Sequence, residues 1–219
     1  MALRTTIGRD SVPEGFVVTT KHEALEYQKA LLNKWKKDSD VFFLRYGKCV
    51  AAAAVAVSSL AITRHFARCM NIIKYPHYMI YPTVAALPTY LTFFKFDREV
   101  THNVLLMKIT CPMCMQLKYL LRQSAYSIFY PTFSAVCLSS IIAMQNGAVN
   151  FPLYGSQPKE FFKYTLKIIQ AGSMRYQLLG ALNIFTAFML PYLQNLELQN
   201  INNILSDKQH KSALKQHIS

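Results

Sequence analysis

The most compact candidate for chemistry in this chain is the sequence Cys111-Pro112-Met113-Cys114. A C-x-x-C pair can act as a dithiol redox couple, or it can supply half of a zinc site. The redox role usually needs a thioredoxin-like βαβ context, which the surrounding sequence does not predict. A zinc site would need two more ligands, yet the chain has no second C-x-x-C and no H-x-x-x-H, and His102 is a lone neighbour. The structural alternative is a loop turn at a membrane surface in which Cys111 and Cys114 only pack.

The sequence contains none of the common catalytic signatures. A Walker A motif, G-x-G-x-x-G, G-x-S-x-G and H-E-x-x-H are all missing. Four long apolar runs also carry no Asp, Glu, Lys or Arg within their cores, where pumps and ion-coupled transporters usually place ionisable groups. We therefore expect a protein that is not an enzyme and that binds no cofactor or metal.

Charged residues are scarce and unevenly placed. Only 16% of the 219 residues are charged and 52% are hydrophobic, whereas soluble domains average about 25% charged residues. The 11 acidic residues all lie outside the four apolar runs, and the basic residues bracket those runs. The net charge of +13 suits an anionic membrane surface better than nucleic acid, since no zinc-finger or RNA-recognition signature accompanies it. We predict an all-α, polytopic membrane protein that contacts the lipid bilayer and no nucleic acid.

About four transmembrane helices are predicted, because about 20 apolar residues span the hydrocarbon core. The segments are residues 46–66, 75–94, 124–144 and 176–196. The first is the weakest, since its uncharged, Ala/Val-rich stretch from Cys49 to Thr63 has only 15 residues. The second contains Pro82 and Pro88, which should kink a helix.

Small residues line one face of two predicted spans. Ala54 and Ser58 do so in the first span, and Ala135, Ser139 and Ala143 do so in the third. Residues four apart share a helix face, and small residues there let two membrane helices approach closely. We predict that these five residues form helix-packing faces.

Two amphipathic interfacial helices accompany the spans. Thr20 and Glu23 can form a capping box, which begins a helix at about residues 20–36 that either rests on the membrane or packs on the bundle. Its predicted apolar face carries Ala24, Tyr27, Leu31 and Trp35. The second helix begins at Pro158, and its basic face carries Lys159, Lys163 and Lys167.

The chain divides into three regions. They are an N-terminal segment at residues 1–45, a four-helix transmembrane domain at residues 46–196 and a polar C-terminal tail at residues 197–219. Lys and Arg number 17 on the side of the two termini and 7 on the opposite side. Because basic residues concentrate on the inner side of a membrane, both termini are predicted to lie inside.

Five short segments occur in a characteristic order around these spans. They are Glu23–Gln28 (EALEYQ), Leu44–Gly47 (LRYG), Cys111–Cys114 (CPMC), Tyr130-Pro131 and Gln157–Glu160 (QPKE). With these segments the chain resembles the transmembrane protein 126 family, particularly its insect-like members. The resemblance covers roughly residues 20–195, and the first 19 residues and the tail after about Asn200 fit it less well.

The resemblance implies a multi-pass protein of the mitochondrial inner membrane that helps to assemble respiratory complex I. The implied partners are subunits of the complex I membrane arm and other assembly factors, and "inside" would be the matrix. The family offers no established catalytic residues, and Cys111 and Cys114 match it only as a recurring pair. Two other functions stay open. One is a small inner-membrane transporter or channel with a site at the Pro-kinked second span, and the other is a membrane thiol-redox protein using Cys111 and Cys114.

Overall fold

The computed structural model describes residues 21–35, 37–72, 80–106, 111–145 and 158–218. Several predicted features therefore lie outside the described residues. They are the N-terminal start with Thr20 of the capping box, the first residues of the second span, and the loop that ends at Gln157. Within the described ranges, every regular element is helical.

The described helices follow one another along the chain. They are α1 (Lys21–Asn33), α2 (Phe42–Cys69), α3 (Ile80–Phe96), α4 (112–145), α5 (Pro158–Ala171) and α6 (Ser173–Ile218). A π-helical turn, Asp97–Thr101, joins α3 to a last turn at His102–Leu105. A second π-helical turn, Ala125–Phe129, joins the two parts of α4, Pro112–Ser124 and Tyr130–Gln145.

Three described segments are long and apolar enough to cross a membrane. They are Phe42–Cys69, Met113–Gln145 and Ser173–Ser206. They contain the first, third and fourth predicted spans, so the all-α membrane architecture is confirmed. The first span, predicted to be the weakest, belongs to a helix of 28 residues. That length corresponds to about 42 Å at 1.5 Å per residue, more than the ~30 Å hydrocarbon core requires.

The second predicted span is described only in part. Helix α3 has 17 residues, which correspond to about 26 Å at 1.5 Å per residue. Residues 73–79, which include the predicted start of this span, lie outside the described residues. Pro88 lies inside α3 and is buried, and its carbonyl oxygen accepts a hydrogen bond from Thr92 Oγ1 at 2.8 Å. The count of four spans therefore stays a prediction.

Two buried apolar clusters fill the bundle, one toward each end of α2. The first cluster joins Leu44 of α2 to Leu32 of α1 and to Leu190 of α6. The second cluster joins Phe66 of α2 to Ile168 of α5. Helices α1 and α5 therefore pack at opposite ends of the bundle.

The inward face of helix α1 agrees with the predicted apolar face only in part, since Trp35 packs against the first cluster. Leu25 and Leu32 are buried, whereas Tyr27, assigned to the apolar face, is 58% exposed. Lys29 lies on the inward side because its Nζ is 3.2 Å from Oδ2 of Asp97. Of the two alternatives for this helix, the structure shows packing on the bundle.

Helix α6 continues without interruption through the predicted polar tail. It runs past Leu196 to Ile218, and Ile201 is buried in the first cluster, with Leu198 and Leu205 packed against that cluster. Spacings of three and four residues place these three side chains on one helix face. Packing therefore extends beyond residue 196, since a single apolar stripe is enough to hold an otherwise polar helix against the bundle.

Candidate functional site

The cysteine pair begins helix α4. Cys111 is the N-cap residue and Pro112 holds the first helical position, where its missing N–H costs no hydrogen bond. The backbone N–H of Cys114 donates to Cys111 Sγ at 3.4 Å. Both thiols are free and exposed. Hydrogen bonds from the Cys114 thiol and from backbone N–H groups lower the pKa of Cys111 below its usual value.

The arrangement of ligand-type side chains does not suggest a metal centre. Within the described residues, no group of three or more His, Cys, Asp and Glu side chains is placed to hold a metal ion. His102, the histidine nearest to the cysteine pair in sequence, lies in another cluster, where its Nε2 is 3.1 Å from Nζ of Lys29.

The predicted small-residue faces lie inside the bundle. Ala54, Ser58, Ala135, Ser139 and Ala143 are all buried by other parts of the chain. They are therefore covered by the chain's own helices, and a partner helix would have to bind elsewhere.

An apolar groove of about 790 Å³ runs between α2 and α3. Its lining includes Ala52, Ala85, Ala86, Tyr90 and Phe94. Side chains of this kind suit an acyl chain or another helix, and they offer a polar solute few hydrogen-bonding partners. The groove is lined in part by α3, which belongs to the second predicted span. The alternative function of a transporter or channel places its site at that span.

A polar network crosses the middle of the bundle. Tyr119 Oη donates to Gln123 Oε1 at 2.7 Å, and Gln123 Nε2 donates to Asn183 Oδ1 at 3.2 Å. Asn183 Nδ2 in turn donates to Ser58 Oγ at 2.7 Å. All four side chains are buried, and together they tie α2, α4 and α6. Interhelical hydrogen bonds of this type average about 0.6 kcal/mol in membrane proteins, so the network chiefly fixes which residues face one another.

An ionic cluster joins α1 to the end of α3. Lys29 Nζ is 3.2 Å from Asp97 Oδ2, and Lys48 Nζ is 3.5 Å from Asp97 Oδ1. Burial would raise the pKa of Asp97, but the hydrogen bond from Lys29 and the two positive charges lower it below the usual value. Burial and the charge of Lys29 lower the pKa of His102 despite the nearby carboxylate. His102 Nε2 lies between the two charged partners, 3.1 Å from Lys29 Nζ and 3.4 Å from Asp97 Oδ2.

Glu197 of α6 caps the beginning of α2. Val41, the N-cap residue, offers no side-chain hydrogen bond. The Glu197 carboxylate instead accepts the backbone N–H of Phe43 at 2.9 Å and that of Leu44 at 2.8 Å. These N–H groups have no partner within the helix, and a negative charge there is favoured by the helix dipole.

Gly47, one turn after the cap of α2, lies in close contact with the side chain of Gln194. Gln194 Nε2 donates to the carbonyl oxygen of Phe43 at 2.9 Å and to Thr101 Oγ1 at 3.3 Å. A Cβ atom on residue 47 would lie 2.9 Å from this nitrogen and 3.4 Å from the Phe96 ring. An added Cβ atom would therefore displace the Gln194 amide group from these hydrogen bonds.

Arg45 adds contacts between the beginning of α2 and the segment that precedes it. Its Nη2 donates to the carbonyl oxygen of Leu32 at 2.6 Å, and its Nη1 contacts Asp38 Oδ1 at 2.5 Å. The carbonyl of Leu32 belongs to the last turn of α1, and it also accepts the backbone N–H of Trp35 at 3.2 Å. The segment Leu44–Gly47 thus connects α2 with α1, α3 and α6, and we call these contacts the α2 joint.

At the opposite end of the bundle, His65 anchors α5. Its Nε2 is 3.0 Å from the carbonyl oxygen of Ile168, and because a carbonyl only accepts, Nε2 carries the proton. The other ring nitrogen, Nδ1, lies 3.5 Å from Nη1 of Arg175. The ring lies against Gly172, where a Cβ atom would come within 2.6 Å of Nε2.

The sequence interpretation missed most of these contacts. Glu197 is the first residue of the predicted polar tail, and the sequence interpretation gives no role to Asn183, Gln194 or His65. The available signal was a single polar residue in or beside an apolar stretch. Such residues are costly in a membrane unless they find partners, but the sequence does not say which partner each one meets.

Comparison with known proteins covers nearly all of these elements. A family model described as "Transmembrane protein 126" matches residues 22–208. A curated relative from Drosophila melanogaster, "Transmembrane protein 126", is 26% identical over 167 residues, which cover 74% of this chain and 75% of the relative. No solved structure matches the chain. The family match extends past residue 195, where the resemblance was expected to end, and it includes the part of α6 that packs through Ile201.

Proposed function

Because the chain belongs to the transmembrane protein 126 family, we propose that it is a non-enzymatic membrane scaffold that helps to assemble the membrane arm of mitochondrial respiratory complex I. Its proposed partners are membrane-arm subunits in assembly intermediates and other assembly factors. Its proposed location is the inner membrane, with both termini in the matrix, as the distribution of 17 and 7 basic residues favours.

The outer surface of α6 is the observation that carries this proposal. Only 22% of its most apolar window is buried within the chain, compared with 50% for α2. Its exposed apolar side chains include Leu178, Leu182 and Phe185, whose spacings of four and three residues place them on one face. Packing against another membrane helix can cover such a face, and the helices in the described part of the chain leave it open.

The length of α6 supports the same function. Its 46 residues correspond to about 69 Å at 1.5 Å per residue, whereas a bilayer with its headgroups is about 45 Å thick. Pro191 lies inside this helix, where a proline favours a kink, but the helix is long enough for its C-terminal part to continue beyond the hydrocarbon core. The projecting part can contact an assembly factor outside the hydrocarbon core.

Depletion of the protein should reduce mature complex I and cause a membrane-arm subcomplex to accumulate on native gels. We expect the wild-type chain to restore complex I, and the variant Leu178→Ala/Leu182→Ala/Phe185→Ala to fail at normal abundance. The matched control is Phe129→Ala/Phe133→Ala/Ile141→Ala, which truncates exposed apolar side chains of α4 and should restore complex I. Normal complex I after depletion would overturn the proposal. If both variants restored complex I equally, the outer face of α6 would have no role in the proposed assembly function.

A thiol-redox protein is the second candidate function, because Cys111 Sγ accepts the N–H of Cys114 at the beginning of a helix. We expect Cys111→Ser/Cys114→Ser to lower protein abundance or partner capture modestly and to restore part of complex I assembly. The control is Cys49→Ser/Cys69→Ser, which alters two other exposed thiols. Complete loss of rescue at normal abundance and normal partner capture would favour thiol chemistry over packing.

A further inference from the structure

The two ends of the bundle differ in how their basic side chains are paired. At the end that carries α1, five basic groups meet carboxylates, in the pairs Lys29–Asp97, Lys37–Asp40, Arg45–Asp38, Lys48–Asp97 and Arg122–Glu99. Four further described basic residues at that end, Lys34, Lys95, Arg98 and Lys118, form no ion pair with a described residue. The end that carries α5 has six basic residues in the described ranges, Arg64, Arg68, Lys159, Lys163, Lys167 and Arg175, and one acidic residue, Glu160. No ion pair between described residues involves those six. This second end therefore presents positive charge that other described residues do not neutralise.

Helix α5 concentrates this charge beside an exposed apolar surface. Lys159, Lys163 and Lys167 are exposed, and spacings of four residues stack them on one face. On the adjoining face, Phe162 is 64% exposed and Leu166 is 41% exposed. Three stacked ammonium groups repel one another, and nearby anions would relieve that repulsion.

A third face of α5 packs on the bundle. This packing determines the directions in which the lysine face and the exposed apolar face point. Ile168 is buried in the second apolar cluster, and its carbonyl oxygen accepts the hydrogen bond from His65. Gly172 follows the helix and lets the imidazole ring approach closely. The outward faces of α5 are thus set by contacts with α2, at the end of the bundle where α2 and α4 end and α6 begins.

We propose that α5 binds the anionic headgroups of phospholipids in the bilayer that the chain spans. The three lysines would contact phosphate groups, while Phe162 and Leu166 would enter the boundary between headgroups and acyl chains. Both surfaces are needed at that depth, since amphipathic interfacial helices combine a basic polar face with an inserted apolar one. Charge complementarity accounts for the lysines, and the adjoining apolar face favours a lipid surface over an acidic soluble partner.

The test reconstitutes the full chain in nanodiscs of phosphatidylcholine, with or without phosphatidylglycerol. Lysine acylation read by mass spectrometry reports the accessibility of each amine. Phosphatidylglycerol should slow acylation of Lys159, Lys163 and Lys167 about fivefold, the factor that ~1 kcal/mol per basic residue at an anionic surface corresponds to. High salt should reverse this protection, because it screens the attraction.

A pair of matched variants locates the binding. The variant Lys159→Gln/Lys163→Gln/Lys167→Gln should lose most of the phosphatidylglycerol that the wild-type chain retains in native mass spectrometry. The variant Lys34→Gln/Lys95→Gln/Lys118→Gln removes three exposed lysines at the other end and should retain it. Equal loss from both variants would show a general charge effect and overturn the proposal. Protection that is independent of phosphatidylglycerol would do the same. The acylation measurement on the wild-type chain tests binding of anionic lipid even if a variant fails to fold.

Discussion

Replacement of Glu197 by alanine should destabilise the protein by roughly 2–3 kcal/mol, because two backbone N–H groups lose a charged acceptor. The affected donors are those of Phe43 and Leu44, at the first turn of α2. Val41 offers them no alternative side-chain cap. Unfolding in detergent, followed by circular dichroism, measures the change. Faster hydrogen exchange at Phe43 and Leu44 than at amides in the middle of α2 would locate the effect.

Two further variants make this prediction specific to the cap. Glu160→Ala removes an exposed carboxylate from α5, and we expect it to change stability by less than about 0.5 kcal/mol, as surface substitutions usually do. Glu197→Gln keeps one acceptor oxygen and should fall between the wild type and Glu197→Ala. The capping role is excluded if Glu197→Ala is as stable as Glu160→Ala.

Replacement of Gly172 by alanine should cost roughly 2–3 kcal/mol, because overpacking displaces the His65 ring and its hydrogen bond is lost. The added Cβ would lie 2.6 Å from Nε2, 2.9 Å from Cε1 and 3.1 Å from Cδ2 of that ring. His65 is buried, and its bond to the carbonyl oxygen of Ile168 is 3.0 Å long. A lower unfolding temperature and faster proteolysis within α5 should accompany the change.

A compensating substitution separates this steric effect from a general loss of helix stability. In Gly172→Ala/His65→Ala the ring is gone, so the double variant should be more stable than the sum of the single changes implies. Gly180→Ala is the matched control within α6, since its Cβ would meet Ile128 Cδ1 at an ordinary 3.8 Å. It should be neutral or stabilising by about 0.5–1 kcal/mol, the usual gain of alanine over glycine in a helix. If the stability losses of Gly172→Ala and His65→Ala simply add in the double variant, the clash with the His65 ring is ruled out.

The local sequence determined the class of the protein and the position of most spans. Uncharged runs bounded by basic residues predicted three of the segments that the structure describes as long apolar helices. These features depend on hydropathy and backbone geometry over a few consecutive residues, so they can be predicted without knowledge of the partners.

The first span shows where local composition stops being sufficient. The 15 residues from Cys49 to Thr63 looked short, but α2 begins at Phe42, where Glu197 of another helix caps it. A face of Ala54 and Ser58 looked available for any neighbouring helix. The structure places Asn183 there, with its Nδ2 2.7 Å from Ser58 Oγ. The small side chains of Ala54 and Ser58 predict a face for helix packing. Which residue packs there, Asn183, depends on the tertiary structure.

Only the tertiary structure decided which polar and charged groups meet. Lys29 pairs with Asp97, which lies 68 residues away, and this contact turns Leu25 and Leu32 inward in place of Tyr27. His65 and Ile168 are 103 residues apart, and Leu44 and Glu197 are 153 residues apart. A helical pattern specifies which side chains share a face, but it carries no information on the rotation and register of separate helices. Those are set jointly by close packing and by the need of each buried polar group for a partner.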